Sequence, residues 1–148
     1  MIIVKTTIDD WSDLKAVRLN ALEESPSAFG GSLENEIKFD DSRWQSRADG
    51  SNGTTFFLAY IEREAVGIAG SYLSDNGHKL ISVWVSPTFR GKSVAVELVK
   101  SVQAYVINAG YTKLVLEIEK NNLAVNKFYL KCGFVPEVKP SNIMFWKP

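Results

Sequence analysis

The chain has 148 residues, 45% of them hydrophobic, and its 17 Lys+Arg balance 17 Asp+Glu to a formal net charge of zero. That length suits one domain over residues 1–148 with a substantial core, and the charge balance argues against broad nucleic-acid binding, which needs excess positive charge to engage phosphates. The single cysteine, Cys132, excludes an internal disulfide, the single histidine, His78, leaves no His/Cys cluster for a metal, and no apolar run approaches the roughly 20 residues of a membrane span.

Residues 1–8 read as a first strand, and residues 1–4 are too short an apolar start for a signal peptide, so the expectation is a cytoplasmic protein with no membrane partner. Asp9 or Asp10 can cap a helix in which Trp11, Leu14, Val17 and Ala21 recur at helical spacing and which stops near Glu24, before Pro26. Residues 25–32 form a loop, and residues 34–48 a more polar helix anchored by Ile37, Phe39 and Trp44. Residues 49–53 break the chain again. Residues 54–61, rich in β-branched and aromatic side chains, form a strand. Its hairpin partner is 65–73, the turn Asp75-Asn76-Gly77 follows, and 79–85 completes the meander. In that last strand Trp84 alternates with Ser82 and Leu80 on one face, and His78, beside the turn, reads as solvated.

A helix from Arg90 to about Asn108 carries Val94, Leu98, Val102 and Tyr105 on one face and ends at Gly110. Residues 113–118 are a strand, 122–132 a short helix closed by Gly133, and 134–138 and 142–146 short final strands. Strand 79–85, the helix and strand 113–118 form a right-handed βαβ unit with parallel strands.

The junction of strand and helix, residues 83–95, is the most informative segment. A helix start exposes backbone N–H groups without intrahelical partners and adds partial positive charge, so it holds phosphate well. Arg90 and Lys92 stand at its rim, and the small Ala95 leaves room for close approach.

Two motifs then carry a resemblance that covers nearly the whole chain. Val85-Ser86-Pro87-Thr88-Phe89-Arg90-Gly91-Lys92-Ser93-Val94-Ala95 is similar to the acetyl-CoA pyrophosphate loop of the GCN5-related N-acetyltransferase (GNAT) family. Asn122-Leu123-Ala124-Val125-Asn126-Lys127-Phe128-Tyr129-Leu130-Lys131-Cys132-Gly133-Phe134 resembles that family's late helix. Ser93 departs from the pattern at the usual second glycine. A serine can take helical dihedrals there, and its hydroxyl can donate a hydrogen bond. Val125 also stands where the family often has alanine.

The resemblance implies an α/β (α+β) fold: a mixed, mostly antiparallel sheet of six to seven strands, a central splayed parallel pair, and about four flanking helices. It implies acetyl-CoA as co-substrate, no metal, and direct transfer of an acetyl group to a primary amine of a small molecule or peptide. Cofactor contacts would come from Val83, Trp84, Val85, Arg90, Gly91, Lys92, Ser93, Val94, Ala95, Val96 and Asn122. Tyr129 would be the general acid, protonated at its reference pKa of about 10, and Glu117 the general base. The resemblance leaves the acceptor amine and the oligomeric state open, a homodimer included.

Each assignment has a plainer counterpart. Tyr129 can be a core ring, Glu117 an exposed strand carboxylate opposite the apolar Leu114, Leu116 and Ile118, Asn122 a helix N-cap, and Cys132 a small core residue. Phe29 and the Gly30-Gly31 pair either gate an acceptor cleft or simply connect two helices. The competing function is a non-catalytic acyl-CoA-binding or regulatory module, favoured by Ser93. A third is a globular interaction protein without a CoA site.

Overall fold

Phe56 and Leu58 alternate with Phe57 and Ala59 along one strand, and all four are buried. A strand buried on both faces must lie inside a sheet covered by other elements on each side. The computed structural model, which describes residues 1–75, 77–118, 122–137 and 142–148, shows that arrangement. Chain order is β1 (Ile2–Lys5), α1 (Trp11–Glu24), α2 (Leu33–Glu36), α3 (Asp41–Ala48), β2 (Thr54–Ile61), β3 (Glu64–Ser74), β4 (Gly77–Val85), α4 (Val94–Asn108), β5 (Leu114–Glu117), α5 (Leu123–Lys131), β6 (Val135–Pro136) and β7 (Ile143–Trp146). The seven strands order as β1-β2-β3-β4-β5-β7-β6. Every neighbouring pair is antiparallel except β4 and β5.

One core lies between the sheet and α4, where Leu98, Val99, Val102 and Val106 meet Phe57, Ala59, Leu80 and Leu114. The other lies beneath α1 and α3, where Leu14, Val17, Ala21 and Ala48 meet Phe56, Leu58, Ile68 and Trp84. The fold class, the meander and the parallel crossover agree with the expectation from sequence.

Several local expectations change. The helix expected over 34–48 is two helices. Ser32 Oγ accepts from Asn35 N to start α2, and Asp40 Oδ1 accepts from Arg43 N to start α3, so two N-caps divide the segment. Asp10 does not cap α1 with its side chain; its carboxylate accepts from Thr7 N at 2.7 Å, one turn earlier. The helix expected from Arg90 starts at Val94, because Gly91 (φ 78°) and Ser93 (φ 64°) lie in the left-handed region that an α-helix cannot pass through.

Ser82 (φ 58°) sits where the β3–β4 register slips between Ile68 and Gly70. The slip reverses side-chain parity: Leu80, Val83 and Val85 face the α4 core, and Ile81 and Trp84 face the α1 core. The expected Leu80–Ser82–Trp84 face is therefore broken. His78 is not solvated; it is 7% exposed, with Tyr105 and Tyr111 packed edge-on to its ring. Ser74 and Gly77 pair across the β3–β4 hairpin; Asn76 of that turn and Val138 of the expected late strand lie outside the described residues.

Candidate active site

Strands β4 and β5 pair at only two positions, His78 with Leu114 and Lys79 with Val115. Beyond that fork they separate. Leu80–Val83 on one side and Leu116–Ile118 on the other line a cleft of about 1020 Å³. The divergence exposes strand backbone to the cleft, since a parallel ladder would otherwise satisfy those groups.

At the end of β4 the chain turns through a short 3-10 turn, Pro87–Phe89, into the loop before α4. The first hydrogen bond of α4 is donated by Glu97 N to Ser93 O at 3.1 Å, so the N–H groups of Val94, Ala95 and Val96 precede the helical ladder. Ser93 makes no side-chain cap. A cavity of about 250 Å³ opens there, lined by Val85, Arg90, Gly91, Ser93, Ala95 and Val96 among others. Two residues that the sequence motifs do not mark for this role, Phe128 and Lys131 of α5, complete its wall. Lys131 supplies a cation where Lys92 is expected to. Lys92 is exposed, with its ammonium 5.5 Å from the Phe89 ring, and does not line this cavity.

Arg90 is partly committed elsewhere. Its Nε donates to Val85 O at 2.9 Å, and its Nη2 is ion-paired with Glu24. Trp84 Nε1 also donates to Glu24 Oε1, at 2.9 Å. The Trp84 donor, then Ser25 and Arg90, hold the Glu24 carboxyl down at about 2. Glu24 thus fastens the end of α1 to the end of β4, across 66 residues of sequence from Arg90, and no sequence signal marks it. The Trp84 side chain packs under α1, away from both cavities, so only its backbone can serve a ligand in the fork.

Asn122, Val125 and Tyr129 reach the large cleft from α5. Asn122 Oδ1 accepts from Val125 N at 3.2 Å as an N-cap. The Tyr129 ring is packed edge-on by Phe128 and Phe134, at centroid distances of 5.0 and 5.7 Å. Burial, with a smaller push from Cys132, raises its hydroxyl well above the usual phenol value, so it stays protonated at neutral pH. Glu117, on the β5 wall, is 3.0 Å from Lys79 Nζ and keeps 62% of its side chain exposed. Cys132 lies past Tyr129, with its thiol raised by burial and its carbonyl accepting from Gln103.

The opposite wall is built of charge. Arg18 of α1 donates from Nε and Nη2 to Glu36 of α2, at 3.0 and 2.9 Å, and from Nη1 to Ser82 Oγ at 3.0 Å. Arg47 of α3 donates from Nη1 to Glu36 Oε1 at 2.8 Å. Despite its desolvation, the two guanidiniums hold the Glu36 carboxyl below its usual range. This buried Arg–Glu–Arg cluster joins three helices to the bulge in β4. Gly31 packs against it: a Cβ there would lie 1.8 Å from Glu36 Oε2, so the carboxylate would have to shift away from its partners. No sequence motif marks any of these three residues, because their partners are set by helix packing.

Among the described residues no group of three or more His, Cys, Asp and Glu is placed to hold a metal, and no helix is long and apolar enough to cross a membrane.

The chain carries a seven-stranded sheet with one forked parallel pair and a helix-start cradle beside the fork, and residues 19–134 match the model of the acetyltransferase (GNAT) family. The chain belongs to that family. It is 35% identical over 81 residues to an uncharacterized N-acetyltransferase of Methanocaldococcus jannaschii, a match covering 53% of this chain and 51% of the relative. The chain thus spans about half the length of that curated relative. The fold matches PaiA N-acetyltransferase from Thermoplasma acidophilum, solved in complex with coenzyme A, with TM-score 0.78, 19% identity, and coverage of 99% of this chain and 98% of that one. It also matches a Salmonella typhimurium protein solved with its cofactor acetyl-CoA, with TM-score 0.77, 17% identity, and coverage of 99% and 93%.

Proposed function

We propose that residues 1–148 act as a single N-acetyltransferase domain, taking an acetyl group from acetyl-CoA and passing it directly to a primary amine. The observation that carries this reading is the fork: β4 and β5 part after two pairs, and the helix-start cradle opens where β4 ends. The pantetheine arm would run along the exposed edge of Val83 and Val85, with Asn122 facing it from α5. The pyrophosphate would meet the N–H groups that open α4, with Gly91, Ser93 and Lys131 around it.

In the transfer step the amine nitrogen attacks the thioester carbonyl, the C–S bond breaks, and the sulfur leaves with a proton. Tyr129 is the proton donor in this proposal: it lines the cleft and its hydroxyl is protonated at neutral pH. Glu117 takes the proton that the amine loses, directly or through water. A β4 backbone N–H in the fork stabilises the oxyanion; such donors contribute about 2.7–4 kcal/mol in other acyl-transfer enzymes. Cys132 lies past Tyr129 with a raised thiol, so no covalent acyl-enzyme is invoked. Its working place would be the cytoplasm.

The test is release of free CoA thiol from acetyl-CoA across an amine panel. Amine-dependent turnover above hydrolysis is expected. CoA binding without any such turnover would leave a non-catalytic acyl-CoA module instead.

A further inference from the structure

The wall opposite Tyr129 bears a local charge that the neutral chain as a whole does not foretell. Six charged residues line the large cleft among the described ones: Arg18, Arg43, Arg47 and Lys79 against Glu36 and Glu117, an excess of two positive charges. Both carboxylates are already engaged. Glu36 Oε1 accepts from Arg18 and Arg47, and Oε2 accepts from Arg18. Glu117 is paired with Lys79. A polycationic amine would need carboxylates to hold its extra ammonium groups, and the described residues of the cleft offer only Glu117, which already shares Oε1 with Lys79.

The cations are less fully spent. Arg47 commits Nη1 to Glu36, while its remaining N–H groups have no protein acceptor among the described residues. Arg43 is exposed, stacked with its guanidinium 3.5 Å from the Phe39 ring centroid; that ring also carries Arg47 at 5.2 Å. Stacking holds a guanidinium flat and leaves its edge donors pointing outward. The Arg18–Glu36 pair fixes α2 against α1, and Arg18 ties both to Ser82 on the β4 side of the fork. Two guanidinium edges on α3 are thereby held on the same cleft as the fork. A planar, multi-donor site of this kind suits a carboxylate or phosphate oxygen pair.

Resting on the acetyl-transfer reading for its amine end, we infer that the acceptor is a small amine carrying an anionic group, held by Arg43 and Arg47 while its nitrogen faces Tyr129. The acid group and the amine belong to one molecule, so the site selects amino acids and aminoalkyl phosphates or phosphonates over polyamines and neutral amines.

The experiment measures kcat/KM with acetyl-CoA, and calorimetric binding in the presence of CoA, for the proteinogenic amino acids, each beside its α-carboxamide or side-chain amide. 2-Aminoethylphosphonate and spermidine extend the panel. The best acid is expected to exceed its amide by at least about tenfold, the equivalent of one charge-assisted hydrogen bond. Preference for amino acids or for the phosphonate tells the two anion sources apart. Arg43→Gln should cut the acid-over-amide ratio about tenfold, with partial recovery in Arg43→Lys. Since Arg47 also supports the buried cluster, Arg47→Gln is read only alongside circular dichroism.

Selective binding of the acids without transfer would uphold this site and refute acetyl transfer. Transfer to spermidine or to amides with no preference for acids would uphold acetyl transfer and refute this site. No binding of any anionic probe beyond its amide would also refute it.

Discussion

At the cavity before α4 and the fork beside it the open polar groups are largely backbone: N–H groups of Val94, Ala95 and Val96, a left-handed Gly91 and Ser93, and a parted strand edge, with Lys131 alongside. At the α1–α3 end they are side-chain charges, with Glu36 joining Arg18 and Arg47. Backbone sites are set by local conformation, so they recur in short motifs and tolerate change in most flanking side chains. The charge cluster depends on three separate helices meeting, so no short motif announces it. In the proposed reaction the constant half of an acyl transfer falls to one end of the cleft and the selective half to the other.

The sharpest way to break that division is at Tyr129, which lines the large cleft from α5 opposite the charge cluster. Tyr129→Phe should keep the packing against Phe128 and Phe134 and lower kcat about 10²–10⁴-fold, measured at saturating acetyl-CoA and amine. An unchanged kcat removes Tyr129 from the proton transfer.

Glu36→Ala should act on the charged end alone. It leaves two guanidiniums facing each other without their shared carboxylate, at an expected cost of about 3 kcal/mol. For a chain of this size that lowers Tm by about 6–12 °C in calorimetry. A loss below about 1 kcal/mol would show that the cluster is as weak as a solvated surface pair.

Ser93→Gly probes the backbone end. Serine at φ 64° bears the left-handed cost of a Cβ, so glycine should stabilise the fold by about 1 kcal/mol or somewhat less and tighten CoA binding. Weaker CoA binding in the glycine variant would mean that the serine hydroxyl contributes a bond to the ligand that outweighs the strain.

The smallest effect lies under the fork. His78 is packed by Tyr105 and Tyr111, its Nδ1 has no hydrogen-bond partner among the described residues, and burial lowers its pKa from 6.5. The native state therefore binds this proton less readily than the unfolded chain. The stability it supports is complete above pH 6.5 and declines as pH falls from there through the lowered native pKa. His78→Phe should flatten that part of the denaturation-midpoint profile; an identical slope in both proteins would place the pH dependence elsewhere.

Much of the proposed cofactor end is legible in the residues themselves. Pro87, Gly91 and Ala95 mark a turn and a helix opening by their own conformational rules, and Asn122 marks a cap that is observed. The sequence puts the start of α4 four residues too early, at Arg90 instead of Val94, because Ser93 looks like an ordinary helical residue until its φ is known. Lys131 carries no signal of its own, being an unremarkable last-turn lysine of α5 until that helix packs beside the α4 loop.

Spacing and turn chemistry were enough to place most strands and helices and the strand–helix–strand crossover, since each element is read from residues within a few positions of one another, and the mixed sheet followed from the family resemblance. Tertiary structure alone decided the parity reversal at Ser82, the burial of His78, the tie from Glu24 to Arg90, and the union of Arg18, Glu36 and Arg47. The reason is reach: the ties made by Arg18 and Glu24 join side chains 18 to 66 residues apart, and only the packing of helices on a twisted sheet brings such groups within hydrogen-bond distance.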